Sequence, residues 1–267
     1  MDPSKTEGFK SPSQKAKNVT EDWAQHQLYC LGCGKREFDY VNHPVLDFAC
    51  HYCDEKYELK SKKGKFGNRV LNSAYGKKIE AISSGSNPSF LFLQYELSTW
   101  TITDLFALPR HVFFPEMIAR RNPLRESAQR AGWVGSIMML DMLPPASKVD
   151  IVRGGKVIPQ TEVQHEWASL SRFQRVAPGL RRWALDLWSL VKNFEDEFTL
   201  REAYGFEDSL RLKHPENRHI RDKIRQQLQH LRNAGLVEFR GKGRYTIQRM
   251  TEQTKLGANW GGNLAGA

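Results

Sequence analysis

Cysteine is scarce in this chain. There are four in 267 residues, too few for a disulfide framework in a protein of this size. No apolar run approaches the roughly 18–20 residues needed to cross a bilayer. No basic amphipathic helix or lipidation motif marks a membrane-surface protein. The opening segment MDPSKTEGFKSPSQKAK has no apolar stretch and is not read as a secretory leader. These absences point to a soluble, cytoplasmic protein with no membrane partner. Negative charge is short as well: 30 acidic residues stand against 40 basic ones, for a net charge of +10. That balance favours a polyanionic partner, nucleic acid first. Internal repeats are missing, and no coiled-coil heptad pattern argues for an oligomer.

The chain divides at about Pro178-Gly179. Residues 1–178 are read as one α/β domain with a mixed sheet, opening on a polar arm at 1–20. Phe90-Leu91-Phe92-Leu93-Gln94-Tyr95 reads as a buried strand after the turn-prone Ser86-Asn87-Pro88. Thr103–Leu108, ended by Pro109, and Val149–Val152, followed by Gly154-Gly155 and Lys156–Ile158, are further strands. The composition of residues 68–83 suits a helix. Residues 179–249 then read as three helices and a β-hairpin, the winged-helix order. Trp183, Leu187, Leu190 and Val191 share one helical face. Thr199-Leu200-Arg201-Glu202 spells a capping box. Asn217 can cap a third helix carrying Ile220, Ile224, Leu228 and Leu231 on one stripe, and Gly235 suits its end. Residues 250–267 are small and polar and are expected to be a disordered tail.

All four cysteines fall in two C-x-x-C pairs, Cys30/Cys33 and Cys50/Cys53, separated by sixteen residues. This is the spacing of a structural zinc site, in which each turn brings two thiolates onto one tetrahedral ion. Gly32 and Gly34 permit the tight backbone of the first turn. Four thiolates leave no coordination position open, so the zinc is structural.

Around the second pair the chain reads Pro44-Val45-Leu46-Asp47, then Glu58-Leu59-Lys60. Glu58 and Lys60, two apart, project from one face of a strand. If the chain turns at the second C-x-x-C and returns, Asp47 lies beside Glu58. Two carboxylates and a backbone carbonyl hold a hard divalent cation, and a neighbouring lysine can orient water. That grouping is what phosphodiester cleavage wants. By itself P-x-x-D…E-x-K is also the spelling of a solvated charged strand. The apolar Phe48, Tyr57 and Leu59 between the charges, and the zinc pairs that clamp the two segments, favour the chemical reading.

The stretch PVLDFACHYCDEKYELKSKKG from Pro44 to Gly64 resembles the DpnI family of methyl-directed (Type IIM) restriction endonucleases. So do Ser13–Lys17 with Thr20-Glu21-Asp22-Trp23, Arg130-Ala131-Gly132-Trp133, and Ile224–Gln229, in order across residues 11–247. The resemblance implies a PD-(D/E)-x-K nuclease core with an inserted four-cysteine zinc site, followed by a winged helix. It also implies magnesium-dependent cleavage of double-stranded DNA at GATC carrying N6-methyladenine, by a monomer. Asp47, Glu58 and Lys60 match the catalytic set, and Leu59 would offer its carbonyl to magnesium beside Asp47 and Glu58. Cys30, Cys33, Cys50 and Cys53 match the zinc ligands.

For DNA contact the expected residues are Arg218, Arg221, Arg225 and Gln226 on the third helix of the C-terminal domain, with Gln229. Long donors on an exposed helix face suit the major groove. Arg240, Lys242 and Arg244 on the wing would meet phosphates. Over residues 180–249 there are 15 basic and 10 acidic residues, a surplus of five in the same direction. Arg130 and Trp133 are expected contacts in the first domain. Trp183 is expected to pack the winged helix, with Arg181 and Arg182 beside it within reach of DNA. Two other readings stay open: a nuclease of different sequence or modification specificity, and a zinc-containing winged-helix transcriptional regulator without catalysis.

Overall fold

The computed structural model describes residues 1–43 and 46–249; Pro44, which opens the P-x-x-D spelling, and the expected tail at 250–267 lie outside the described residues. The first region is built on strands β1 Phe38–His43, β2 Leu46–Cys50, β3 Lys56–Lys63, β4 Arg69–Ala74, β5 Ser89–Glu96, β6 Thr101–Leu108, β7 Ile118–Arg120, β8 Gly135–Met139, β9 Val149–Arg153 and β10 Lys156–Val157. Its helices are α1 Pro12–Gln27, α2 Tyr75–Ser84 and α3 Gln160–Ser171. Seven strands form one sheet in the order β1-β2-β3-β5-β6-β9-β10. Only the β3–β5 pair is parallel, so the sheet is mixed as expected. β5 is central and buried from Ser89 to Tyr95, which explains its unbroken apolar spelling.

A parallel pair needs a long crossover, and here β4 and α2 supply it. This corrects the helix expected over 68–83. Arg69–Ala74 alternates exposed Leu71 with buried Val70 and Asn72, a period of two, and pairs antiparallel with β8. The helix begins only at Tyr75 and stops at Gly85, whose φ of 72° is left-handed. The polar arm is also more than an arm. Residues 12–27 form a helix that buries Val19, Thr20 and Ala24 and packs on β3.

The C-terminal region runs α4 Arg181–Val191, β11 Glu197–Thr199, α5 Leu200–Tyr204, α6 Glu207–Lys213, α7 Ile220–Asn233, β12 Val237–Gly241 and β13 Arg244–Ile247. It is a winged helix, with β11 added to the wing in the order β11-β13-β12. The capping box at Thr199 and Glu202 forms in both directions. Asn217 does not cap α7. His219 takes that place, and the Asn217 side chain accepts the His219 N–H at 2.8 Å. Ile220, Ile224, Leu228 and Leu231 are all buried, as their spacing requires. Among the described residues no helix is long and apolar enough to cross a membrane.

The two regions interlock. Arg172, just past α3, donates to the carbonyls of Gly235 (2.5 Å) and Gln248 (2.9 Å). Arg181 opens α4 and is 4% exposed. Its guanidinium donates to the carbonyls of Val176 (2.9 Å) and Phe113 (3.3 Å). Burial lowers its pKa to about 10. Arg181 is therefore committed inside the protein, which corrects the expectation that it reaches DNA. Removing Arg172 should strip two carbonyls of a charged donor. Hydrogen bonds to charged groups contribute about 1.5–3 kcal/mol. Arg172→Ala is expected to lower the melting temperature by roughly 3–10 °C and to separate the unfolding of the two regions in a calorimetric scan.

Candidate active site and metal centre

The first C-x-x-C turn is closed by Gly34, whose φ is 80° and whose N–H donates to the Cys30 carbonyl at 2.7 Å. The second turn is closed by Cys50 N–H on the Glu55 carbonyl at 2.9 Å. The four sulfurs lie within 4.8 Å of one another, with Cys30–Cys53 and Cys33–Cys50 each at 3.5 Å. Zn–S bonds of about 2.3 Å in a tetrahedron place sulfurs about 3.8 Å apart, so the four can hold zinc. Their pKa shifts run in opposite directions, as crowded thiols require. The Cys30 thiol is lowered to about 5, first by its contact with Cys53 and further by the Tyr57 hydroxyl. Burial pushes Cys33 up to about 11, and the Cys53 thiol rises because it faces Cys30. Four thiolates this close need a cation among them.

Tyr57 connects this centre to the strand beside it. Its hydroxyl lies 3.3 Å from Cys30 Sγ and 3.1 Å from the Leu31 N–H. Glu58, Leu59 and Lys60 follow on β3. β2 pairs antiparallel with β3 through Phe48–Tyr57 and Ala49–Lys56. Beyond Phe48 the Asp47 carboxylate takes over, accepting the Leu59 N–H at 2.7 Å. That bond brings Asp47 level with Glu58, as the sequence spacing suggests. Lys60 Nζ sits 2.5 Å from Glu58 Oε1. Glu58 is 4% exposed, and its Oε2 is buried with no hydrogen-bond partner. An orphaned carboxylate oxygen beside a second carboxylate fits a divalent cation. Burial raises the pKa of Asp47; the Leu59 N–H opposes the rise and Glu58 adds to it.

Asp47, Glu58, Leu59 and Lys60 line one cavity of about 310 Å³ with Ser13, Ala16, Lys17, Thr20, Glu21 and Ser61. The helix side of this cavity has no signature in local spacing. Thr20 Oγ1 donates to Ser61 Oγ at 3.0 Å and fixes α1 over β3. Glu21 is then a third carboxylate at the site, its pKa raised by burial and by Asp47. It is held by the Tyr40 hydroxyl at 3.1 Å and Lys17 at 3.6 Å. Lys78 on α2 was also missed. It is 2% exposed, with Nζ 3.7 Å from Glu58 Oε2. Its signal was present: Lys78 lies four residues before Ile82, on the stripe that must face the sheet.

The expected DNA-contact residues are spread over separate surfaces. Arg218, Arg221, Arg225 and Gln226 are exposed along and just before α7, as are Arg240, Lys242 and Arg244 on the wing. Several are already paired. Arg221 Nε contacts Glu207 at 2.7 Å, Arg225 contacts Asp222 and the Tyr204 hydroxyl, and Arg240 contacts Glu238 at 2.7 Å. Arg182 donates to the Lys213 carbonyl at 3.2 Å. Trp133 is half-buried on the β7–β8 connection, with the Arg130 guanidinium 4.9 Å above its ring. Gly135 is required beneath it, since a Cβ there would meet the indole at 2.8 Å. Trp183 packs within the winged helix, stacked 3.6 Å from His214.

A mixed-sheet α/β region joined to a helix-turn-helix of the winged type defines the class of protein. The chain belongs to the DpnI family. The model described as the Dam-replacing family matches residues 1–175, and the one described as the Dam-replacing HTH domain matches residues 179–247.

If four thiolates hold one zinc, the purified protein contains one equivalent of it. Cys50→Ser should lose that equivalent and lower the melting temperature by on the order of 10 °C. Metal analysis and thermal melting check both; a zinc-free protein with an unchanged melting curve would remove the zinc centre from the account.

Proposed function

We propose that this protein is a type II restriction endonuclease that cuts double-stranded DNA at adenine-N6-methylated sites, G(m6A)TC. In this reading it uses magnesium, acts as a monomer, and reads the methylated site with both domains. The observation that carries it is the Asp47 carboxylate, held on the Leu59 N–H beside the Glu58–Lys60 pair in one cavity, within a chain of the DpnI family. Asp47, Glu58 and the Leu59 carbonyl would hold Mg2+, which when bound polarises the scissile phosphate and offsets its developing charge. Lys60 would donate to the attacking water and favour its deprotonation. The four cysteines act structurally: through Tyr57 they fix β3, and β3 fixes Glu58 and Lys60. Arg218, Arg221, Arg225 and Gln226 would enter the major groove. Arg240, Lys242 and Arg244 would meet phosphates, as would Arg182 at the edge of the domain. Arg130 and Trp133 would contact DNA in the nuclease domain.

An N6-methyl group offers no hydrogen bond and is read by apolar contact or shape. Burying one methyl is worth roughly 0.8 kcal/mol. Two methyls per site give about 1.6 kcal/mol, on the order of fifteenfold, which is poor protection for a host genome. Two modules that each test the site multiply to roughly two hundredfold.

Incubation with Mg2+ and plasmids from methylating and non-methylating hosts tests the reading directly. Only the methylated plasmid should be cut, and uncut methylated plasmid overturns the proposal. A panel of modified sites separates the nuclease of other specificity. Asp47→Ala should bind DNA normally and lose at least about a thousandfold in cleavage. A non-catalytic regulator would instead keep its function in that variant. The two-module idea has its own test in the full chain. Arg221→Ala with Arg225→Ala, made to disengage the winged helix from DNA, should reduce the preference for methylated over unmethylated sites by about fifteenfold; weakened winged-helix binding with an unchanged preference would place all reading in the nuclease domain.

A further inference from the structure

Lys78 has no part in the chemistry described so far, yet its position is costly. A lysine that is 2% exposed gives up nearly all of its hydration. Burial accordingly lowers its pKa, with Glu58 opposing the shift. Its surroundings recover part of the cost. Nζ lies 4.6 Å from the Phe90 ring centroid and 3.7 Å from Glu58 Oε2. The second distance is an ion pair without a hydrogen bond, so Oε2 keeps its lone pairs free. Lys60 meanwhile occupies the other oxygen, Oε1, at 2.5 Å. One carboxylate thus faces two ammonium groups, one at each oxygen.

The charge around the cavity then sums to a definite value. Asp47, Glu58 and Glu21 contribute three negative charges; Lys17, Lys60 and Lys78 contribute three positive ones. Counted as ionised, the resting site is neutral. A neutral site attracts a dication weakly, and one approaching Oε2 meets the Lys78 ammonium within a few ångströms. A DNA phosphate in the cavity adds negative charge and tips the balance toward the cation.

We propose that Lys78 is the stand-in counter-ion of Glu58, a positioning residue that keeps divalent-cation binding weak until a DNA phosphate enters the cavity. This rests on the reading of Glu58 as a cation ligand. The enzyme without DNA is then held unloaded, and DNA and cation bind as linked ligands, each strengthening the other.

The test is titration of the full-length, zinc-loaded protein with Mn2+ alone, free Mn2+ being followed by electron paramagnetic resonance. Lys78→Met makes the site net negative and should tighten Mn2+ binding about tenfold, the full Coulomb effect being discounted for solvent screening. Lys78→Gln should tighten it similarly, and Lys78→Arg, which keeps the charge, should stay at the wild-type affinity. Melting curves in chelator establish which variants are folded, and the glutamine and arginine variants decide the matter if the methionine variant is not. Unchanged or weaker Mn2+ binding in folded Lys78→Met or Lys78→Gln overturns the proposal. Glu58→Gln should abolish saturable binding. If it binds Mn2+ as the wild type does, the cation site lies elsewhere and the functional reading falls with this inference. Loss in Glu58→Gln with no gain in the Lys78 variants sinks this inference alone.

Discussion

The hydrogen bond from the Leu59 N–H to the Asp47 carboxylate fixes more of this site than any other contact. An N–H inside a sheet must find an acceptor. β2 and β3 pair through Phe48–Tyr57, and one residue further on the acceptor is a side chain instead of a backbone carbonyl. A carboxylate used in this way has its position set by the sheet itself. The other end of the same hairpin is held by the cysteine cluster, where Cys50 closes β2 and the Tyr57 hydroxyl ties β3 to Cys30 and Leu31. Asp47 and Glu58 therefore come from strands restrained at both ends. Neither carboxylate needs to search for its place, which is what ordering a cation and a phosphate requires.

What was legible in the sequence was whatever depends on local spacing. Two C-x-x-C turns announce a tetrahedral ion because only that geometry needs both. Glu58 and Lys60 announce a shared face because a strand has period two. The capping box at Thr199 is a four-residue event and reads as one. What was not legible depends on contacts distant in the chain. Glu21 and Lys17 look like the surface of a polar helix until the Thr20–Ser61 hydrogen bond, spanning 41 residues, turns them onto Asp47. Lys78 looks like one of two ordinary lysines in a short helix until the crossover lays that helix against the sheet. The segment at 69–74 has a helical composition, but its strand character comes from pairing with β8, which composition does not record. Asn217 has the residue type of a helix cap, but its side chain bonds a backbone N–H two residues on, before the helix begins.

The nucleic-acid surface and the active site share one electrostatic arrangement. In both, several of the groups expected to meet DNA or a cation already have partners from the protein. Arg221 rests on Glu207, Arg225 on Asp222 and Tyr204, and Glu58 on Lys60 and Lys78. Such pairs hold long side chains in defined conformations, which reduces the entropy lost on binding. They also require the ligand to displace a carboxylate or an ammonium. A correct ligand supplies compensating charge in the right place, and an incorrect one leaves a charge unpaired. Under the proposed function, discrimination then comes from the penalty for a mismatch as much as from the contacts of a match.

Rigidity between the two regions limits how that discrimination operates. Arg172 joins the end of α3 to the carbonyls of Gly235 and Gln248, and Arg181 joins α4 to Phe113 and Val176. The winged helix cannot swing freely on a linker, because breaking these bonds would leave carbonyls without their donors and a buried guanidinium without acceptors. The two reading surfaces consequently keep a fixed relation. One duplex can satisfy both at once only where that relation matches the path of the DNA; otherwise the two tests fall in succession or on separate duplexes. Where the tests fall in succession or on separate duplexes they are distinct binding equilibria, and their preferences multiply. If each region reads the methylated site as proposed, a fixed joint lets two modest apolar readings of a methyl group produce a selectivity that neither domain has alone.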